Sequence, residues 1–530
     1  MKKESFLKGA AILGIAGIFI KVMGAFFRIP LGNIIGSEGL GYYQVGYPIF
    51  NFLLAFSVAG FPTAISKLIA EKRALNNYIG ANQVFKTSML VLFIISSTFS
   101  LALFFGARYF VNDFVQSPKA FYAVITLAPG LFFVSMQAGY RGYFQGLKDM
   151  VPTAVSQLVE QLVRVIIGLL LAVYLMNQSV EYAAAGASFG ATAGGIAGLG
   201  VILIIYYRHK RKLKNHNEPL IGERDHSSNI IKELMRIAIP ITIGASIIPL
   251  ISLLDTAIVI RRLQSIGFSY SEANSLYGQL TGMATTLINL PQVLTVALAM
   301  SIVPVIAESS AKNNLPEIQR DTQSAMRISM LIGLPSAVGL AVLSTPIMQL
   351  LFPNEPASVG RVLLYLSFSV LFITQIQTMT GILQGLGRQV IPVRNLLVGA
   401  LFKLIVTYVL VGIPALNVNG AAIGTVMAYL VAASLNYISL KKYTLVTLDK
   451  NRVLIKPIIA VIVMAIVVKL SHMAFIPLVG EKLSTVASIT IGGIVYGVML
   501  IATKTITRED FNMLPGGGKL IKILDRFGVL

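Results

Sequence analysis

The 530-residue chain has no cysteine, no tryptophan and only four histidines: His209, His216, His226 and His472. Without cysteine there are no disulfides and no thiolate metal ligands, and histidines this scattered argue against an imidazole metal centre. Charged residues make up only 12% of the chain, against about a quarter in an average soluble domain. With 55% hydrophobic residues, that scarcity excludes disorder, a fibrous repeat and an ordinary soluble enzyme, and indicates a protein dissolved in lipid. Neither GxxxxGK[ST] nor HExxH occurs, so neither a P-loop nor a zincin is supported. Lys519 follows three glycines but lacks the spacing and hydroxyl of a phosphate loop. No cluster of carboxylates or histidines offers acid–base chemistry, so no cofactor and no enzymatic activity are expected. Negative charge is scarcer than positive, with 22 acidic and 43 basic residues and a net charge of +21.

In a soluble chain that excess would suggest nucleic acid; here its distribution indicates a membrane topology and no nucleic-acid partner. Apolar stretches of the roughly 20 residues that cross a bilayer predict fourteen helices: Lys8–Leu31, Tyr42–Ala70, Gln83–Tyr109, Ala120–Gln145, Thr153–Leu175, Tyr182–Tyr207, Leu234–Ile260, Leu276–Ala307, Ala325–Leu351, Val362–Leu386, Pro392–Val411, Gly420–Leu440, Val453–Leu470 and Leu483–Thr503. With the N-terminus in the cytoplasm, 32 of the 43 basic residues fall in cytoplasmic segments, eight at outside ends or loops, and three (Lys21, Arg164, Lys403) within spans. This bias follows the positive-inside rule, and an even count returns the C-terminus to the cytoplasm. The basic run Arg208–Lys214 opens the largest loop and suits a solvated linker in contact with anionic membrane lipids.

The two halves of the chain resemble each other. Phe144-Gln-Gly-Leu147 is matched by Leu383-Gln-Gly-Leu386, Ile69-Ala-Glu71 by Ile306-Ala-Glu308, and Gly186-Ala-Ser-Phe-Gly190 by Gly420-Ala-Ala-Ile-Gly424, at offsets between 234 and 240. An ordered series of matches indicates duplication. Six spans per copy give both copies one orientation, related by a pseudo-two-fold along the membrane normal, with a central cavity between lobes. The expected divisions are a six-helix lobe at 1–207, a basic cytoplasmic linker at 208–233, a second six-helix lobe at 234–443, and two extra helices with a cytoplasmic tail at 444–530. Gly186, Gly190, Gly194 and Gly198 share one face of the sixth helix, which suits close helix packing.

Charges within spans are expensive and therefore mark candidate sites. Lys21 and Arg28 lie two turns apart on the first helix and share a face. Glu160 and Arg164 on the fifth are four apart and can pair with each other. Lys403 on the eleventh helix is the repeat mate of Arg164, at an offset of 239. Asp255 is a lone carboxylate in an apolar run, and Arg261 and Arg262 mark the outer end of the same helix. Lys21, Arg28, Arg164, Arg261, Arg262 and Lys403 outnumber Glu160 and Asp255 six to two. Such a cavity attracts an anion, and arginine suits phosphate through its planar fork.

Lys21-Val-Met-Gly-Ala-Phe-Phe-Arg28, Gly36-Ser-Glu-Gly-Leu-Gly-Tyr-Tyr43, Phe61-Pro-Thr-Ala-Ile-Ser-Lys67 and Gly142-Tyr-Phe-Gln-Gly146 resemble the stage V sporulation protein B branch of polysaccharide transporters. That branch belongs to the multidrug/oligosaccharidyl-lipid/polysaccharide superfamily, which also holds MurJ-type lipid II flippases. The resemblance implies two lobes that alternate between inward- and outward-open states in the bacterial cytoplasmic membrane. It implies an undecaprenyl-pyrophosphate-linked saccharide as cargo, most simply lipid II, with cell-wall synthesis proteins as candidate partners. It also implies that Lys21 and Arg28 are the two cavity cations of the first helix. Asp255 matches the acidic contributor of a sodium site found in some relatives. On the residues alone, a cation-coupled multidrug exporter of the same fold and a non-transporting envelope-assembly protein remain open.

Overall fold

The computed structural model describes residues 2–215, 222–503 and 505, and their regular structure is helical throughout. The tail beyond 505, with Lys519, lies outside the described residues, and so does the side chain of Lys21. The chain forms two compact units, Met1–Gly278 and Gln279–Leu530.

The first unit comprises α1 (Lys2–Val58), α2 (Phe61–Ala74), α3 (Tyr78–Tyr109), the short α4 (Phe121–Ile125), α5 (Ala128–Gly146), α6 (Val151–Met176), α7 (Val180–Asn215), α8 (Ser227–Ser265) and α9 (Tyr270–Gly278). The second opens with a π-helical turn, Gln279–Ala284. It continues through α10 (Thr285–Ala311), α11 (Leu315–Val342), α12 (Ser344–Leu351), α13 (Ser358–Ser367), α14 (Ser369–Gly385), α15 (Val390–Val411), α16 (Val418–Thr444) and α17 (Lys456–Ala502).

Among the described residues, twelve stretches of helix are long and apolar enough to cross a membrane, where the hydropathy pattern predicts fourteen spans. The difference lies at the two ends of the chain. Val22–Ala74 and Asn451–Ala502 are 53 and 52 residues long, and each takes in all or part of two predicted spans. Within each, one glycine leaves helical geometry: Gly36 (φ 67°, ψ −177°) and Gly480 (φ 77°, ψ 168°). A side chain at such angles is strained, so glycine is the residue that can turn the helix there. The turns are sharp. Phe27 and Tyr43 would be about 24 Å apart along a straight helix, yet their rings are 6.0 Å apart. Ser471 and Ser488 would be about 25 Å apart, yet their hydroxyls are 3.3 Å apart. Both long elements therefore fold back on themselves. The predicted span Ala325–Leu351 is also divided, with α11 ending at Val342 and α12 starting at Ser344.

Each unit builds its own core, and the two cores repeat. Ile65, Ile69, Phe144 and Tyr206 are buried together in the first. Ile302, Ile306, Leu383 and Leu440, displaced by 237, 237, 239 and 234 residues, are buried together in the second. Lipid offers apolar side chains no less than the core does, so contact distance and shape hold such helices together. A Cβ at Gly142 would sit 2.9 Å from Pro62 Cα, and one at Gly381 would sit 2.7 Å from the Ala299 carbonyl. Large apolar residues such as Phe93, Leu101 and Phe105 on α3 point outward, as suits a lipid-facing surface. The described end of the 208–233 linker is fastened within the first unit. Gln83 both donates to and accepts from the Asp225 backbone, Lys72 pairs with the Asp225 carboxylate, and Asn77 donates to the Glu223 carbonyl.

Candidate functional site

The arrangement starts from α6. Ser156, Glu160, Arg164 and Gly168 recur every four residues and share one face. The exposed Val155, Leu162, Ile166 and Val173 occupy the opposite face. α7 packs tightly beside the polar face. A Cβ at Gly190 would meet the Arg164 carbonyl at 2.5 Å, and one at Gly194 would collide with the Glu160 carbonyl. The glycine face predicted on this helix is thus a close packing surface, and it holds the backbone that carries both charges.

Arg164 stands at the midpoint of the 26-residue α6, with its Cζ 4.9 Å from the centre of the Tyr47 ring. The Tyr43 ring follows 4.6 Å from that of Tyr47, and Phe27 lies beyond it. All three rings come from α1. A guanidinium over an aromatic face gains about 0.5–2 kcal/mol, most when desolvated, and it stays charged at any physiological pH.

Glu160 does not pair with Arg164, its neighbour one turn along the helix. Its Oε2 accepts from Arg141 Nη2 at 2.8 Å, across to α5. The reason is competition: Tyr47 takes the Arg164 guanidinium, and α5 presents a second arginine already fixed in place. Arg141 Nε donates to Ser156 Oγ at 3.0 Å, and its Nη2 also donates to Gln137 Oε1. Gln137, fully buried, is itself held by a 2.9 Å bond from its Nε2 to the Gly195 carbonyl on α7. Arg141 is the residue that sequence reasoning missed. It lies near the end of a span, where a cation reads as interfacial. The available signal was Glu160 itself, an intramembrane carboxylate that calls for a cationic partner.

The other predicted residues with described side chains lie on α1, α8 and α15. Arg28 is half-buried on α1, next to the buried Phe27. Asp255 is buried on α8, where the adjoining Thr256 hydroxyl meets Tyr277 Oη at 2.8 Å and fastens α8 to α9. Arg261 is exposed and donates to the Asp113 carbonyl at 3.1 Å. In the second unit Lys403 is half-buried on α15. The repeat mate of Glu160 there is Gly399, where a Cβ would meet the Ala428 carbonyl at 2.5 Å. Among the described residues no group of His, Asp or Glu could hold a metal ion.

The family described as polysaccharide biosynthesis protein matches residues 6–310, and the MatE family matches residues 280–409. Stage V sporulation protein B of Bacillus subtilis is 27% identical over 522 residues, covering 98% of this chain and 100% of that protein. Lipid II flippase MurJ of the same organism is 26% identical over 455 residues, 83% of each chain. Among solved structures, lipid II flippase MurJ in an inward closed conformation superposes with a TM-score of 0.69 at 15% identity, covering 92% of this chain and 97% of that one. With its 6–310 match extending over more than half of its length, the chain belongs to the polysaccharide biosynthesis protein family, as a multi-pass membrane protein with the MATE-like transporter fold.

Proposed function

We propose that this protein is a flippase, not an enzyme. In this reading it moves an undecaprenyl-pyrophosphate-linked saccharide, most simply the peptidoglycan precursor lipid II, from the inner to the outer leaflet of the bacterial cytoplasmic membrane. The observation that carries it is the guanidinium of Arg164, kept at the midpoint of a membrane helix on an aromatic face, with Glu160 engaged elsewhere. Similarity over the full length of a sporulation protein and over 83% of a lipid II flippase supports it.

The mechanism requires no bond chemistry. A saccharide and pyrophosphate cannot cross hydrocarbon unaided, so alternating access through a wet, cationic cavity carries them while the prenyl tail stays in lipid. Lys21, Arg28, Arg164, Arg261 and Lys403 are the proposed phosphate contacts, and Asp255 the proposed coupling carboxylate. Outward movement of an anion is favoured by an inside-negative potential, by about 2.3 kcal/mol per charge per 100 mV. The folded-back elements each cross twice in this reading, giving fourteen passes with both termini cytoplasmic. The six-helix lobes are then 1–207 and 234–443, joined by the linker 208–233 and followed by the appended 444–530.

The test is complementation of a bacterium depleted of its own lipid II flippases. The wild type is compared with Lys21→Ala, Arg28→Ala, Arg164→Ala and Lys403→Ala at matched membrane abundance. Rescue by the wild type and failure of the variants is expected. Failure of an abundant, inserted wild type would move the assignment to another polyprenyl-linked polysaccharide. Rescue by every variant would point to an envelope-assembly role without transport.

A further inference from the structure

Arg141 and Glu160 form a half-buried ion pair between α5 and α6. Replacing an ion pair shielded from water by uncharged packing is often neutral or stabilising, and the second unit carries uncharged residues at the equivalent positions. At the repeat offset of 239, Arg141 corresponds to Thr380 and Glu160 to Gly399, and Gly399 is simply packed against Ala428. The helices there pack with no charge at either position. A charge pair retained in one copy alone calls for a role beyond packing.

The geometry of the pair indicates what that role is. Glu160 engages Arg141 from one side only, Oε2 to Nη2, and does not use the two parallel bonds of a fork-to-fork pair. Ser156 takes Nε and Gln137 shares Nη2, while Nη1 has no bond among the described residues. The guanidinium is thus held in place by two neutral, buried side chains, both fully enclosed. Its orientation survives the departure of Glu160. The two side chains keep 12% and 21% of their surface accessible, on the face of α6 turned away from the exposed apolar stripe. One turn further along that face, about 6 Å on, stands Arg164.

We infer that Arg141 is an exchangeable anion site, at which a phosphate group of the cargo takes the place of Glu160. The inference rests on the reading of the cargo as a phosphate-bearing lipid. Glu160 holds the site's resting affinity low, and once displaced it repels the anion that displaced it. A phosphate at Arg141 therefore moves on to Arg164 and is not trapped.

The experiment uses purified full-length protein in nanodiscs, with farnesyl pyrophosphate as probe, farnesol as control and calorimetry as readout. Glu160→Gln removes the competing charge and keeps an acceptor for Arg141, so at least about tenfold tighter binding is expected. Adding Arg141→Gln should abolish that gain. Unchanged or weaker binding by a Glu160→Gln protein with wild-type melting temperature overturns the exchange site. Should Glu160→Gln fail to fold, Arg141→Lys carries the test: about tenfold weaker binding is expected, and wild-type binding overturns the proposal. The cargo reading fails by a different result, namely a wild type that binds farnesyl pyrophosphate no better than farnesol. Binding that is lost in Arg164→Ala but unaltered in Glu160→Gln removes the exchange site alone.

Discussion

A cation at the centre of a bilayer helix costs roughly 2.5–3.5 kcal/mol on the insertion scale. At Arg164 that cost is offset by the Tyr47 face and by the exact fit of two helices whose small residues let backbones touch. The fit is testable one atom at a time. Gly194→Ala places a methyl against the Glu160 carbonyl and should destabilise the protein by about 1–3 kcal/mol. Gly200→Ala, on the same helix but facing open space, should be neutral or stabilising by up to about 1 kcal/mol. Thermal unfolding of both variants in one detergent checks the pair, and equal melting temperatures would refute the packing argument. Arg164 and Glu160 were legible in the sequence because charge within an apolar run needs no context to stand out. Their partners were not, because a pairing between helices depends on rotations that spacing along one helix does not determine. Glu160 had a cation four residues away and bonded to another on α5 instead.

Among whole elements, hydropathy located the long helices, some with ends within a few residues and others, such as α7 and α11, eight to ten residues off, because roughly 20 apolar residues have few other uses. It did not reveal how adjacent spans are joined. Gly36 and Gly480 each turn the chain within one residue, where hydropathy shows a break between spans but not a turn within one continuous helical element. At Gly480 the φ of 77° and ψ of 168° lie in a region essentially reserved for glycine, and a side chain held there costs of order 1–3 kcal/mol. Gly480→Ala should therefore lower the melting temperature. Gly493→Ala, later in α17 and with nothing within 4 Å of the added methyl, should leave it unchanged or higher. The bonds from Ser484 to the His472 carbonyl and between Ser471 and Ser488 tie the two halves of α17 and are the contacts that a displaced turn would break.

For the molecule as a whole, the duplication seen in three short sequence matches reappears as two separately built cores with equivalent residues at near-constant offset. The absence of cysteine makes the topology directly measurable, since every introduced thiol is the sole one. Asn313→Cys should react with a membrane-impermeant maleimide from the cytoplasmic side only. Asn354→Cys and Lys482→Cys should react from the outside. Labelling at Lys482→Cys from the cytoplasm would show that α17 does not cross twice and would return the count of passes to be revised. The absence of tryptophan has a further consequence at the stack of Tyr47 and Arg164. Tyr47→Trp would give the protein a single indole fluorophore lying against the guanidinium. Its emission colour and yield would then follow the whereabouts of one positive charge, so that the arrival of an anion at Arg164 could be watched optically, in an unlabelled protein and in real time.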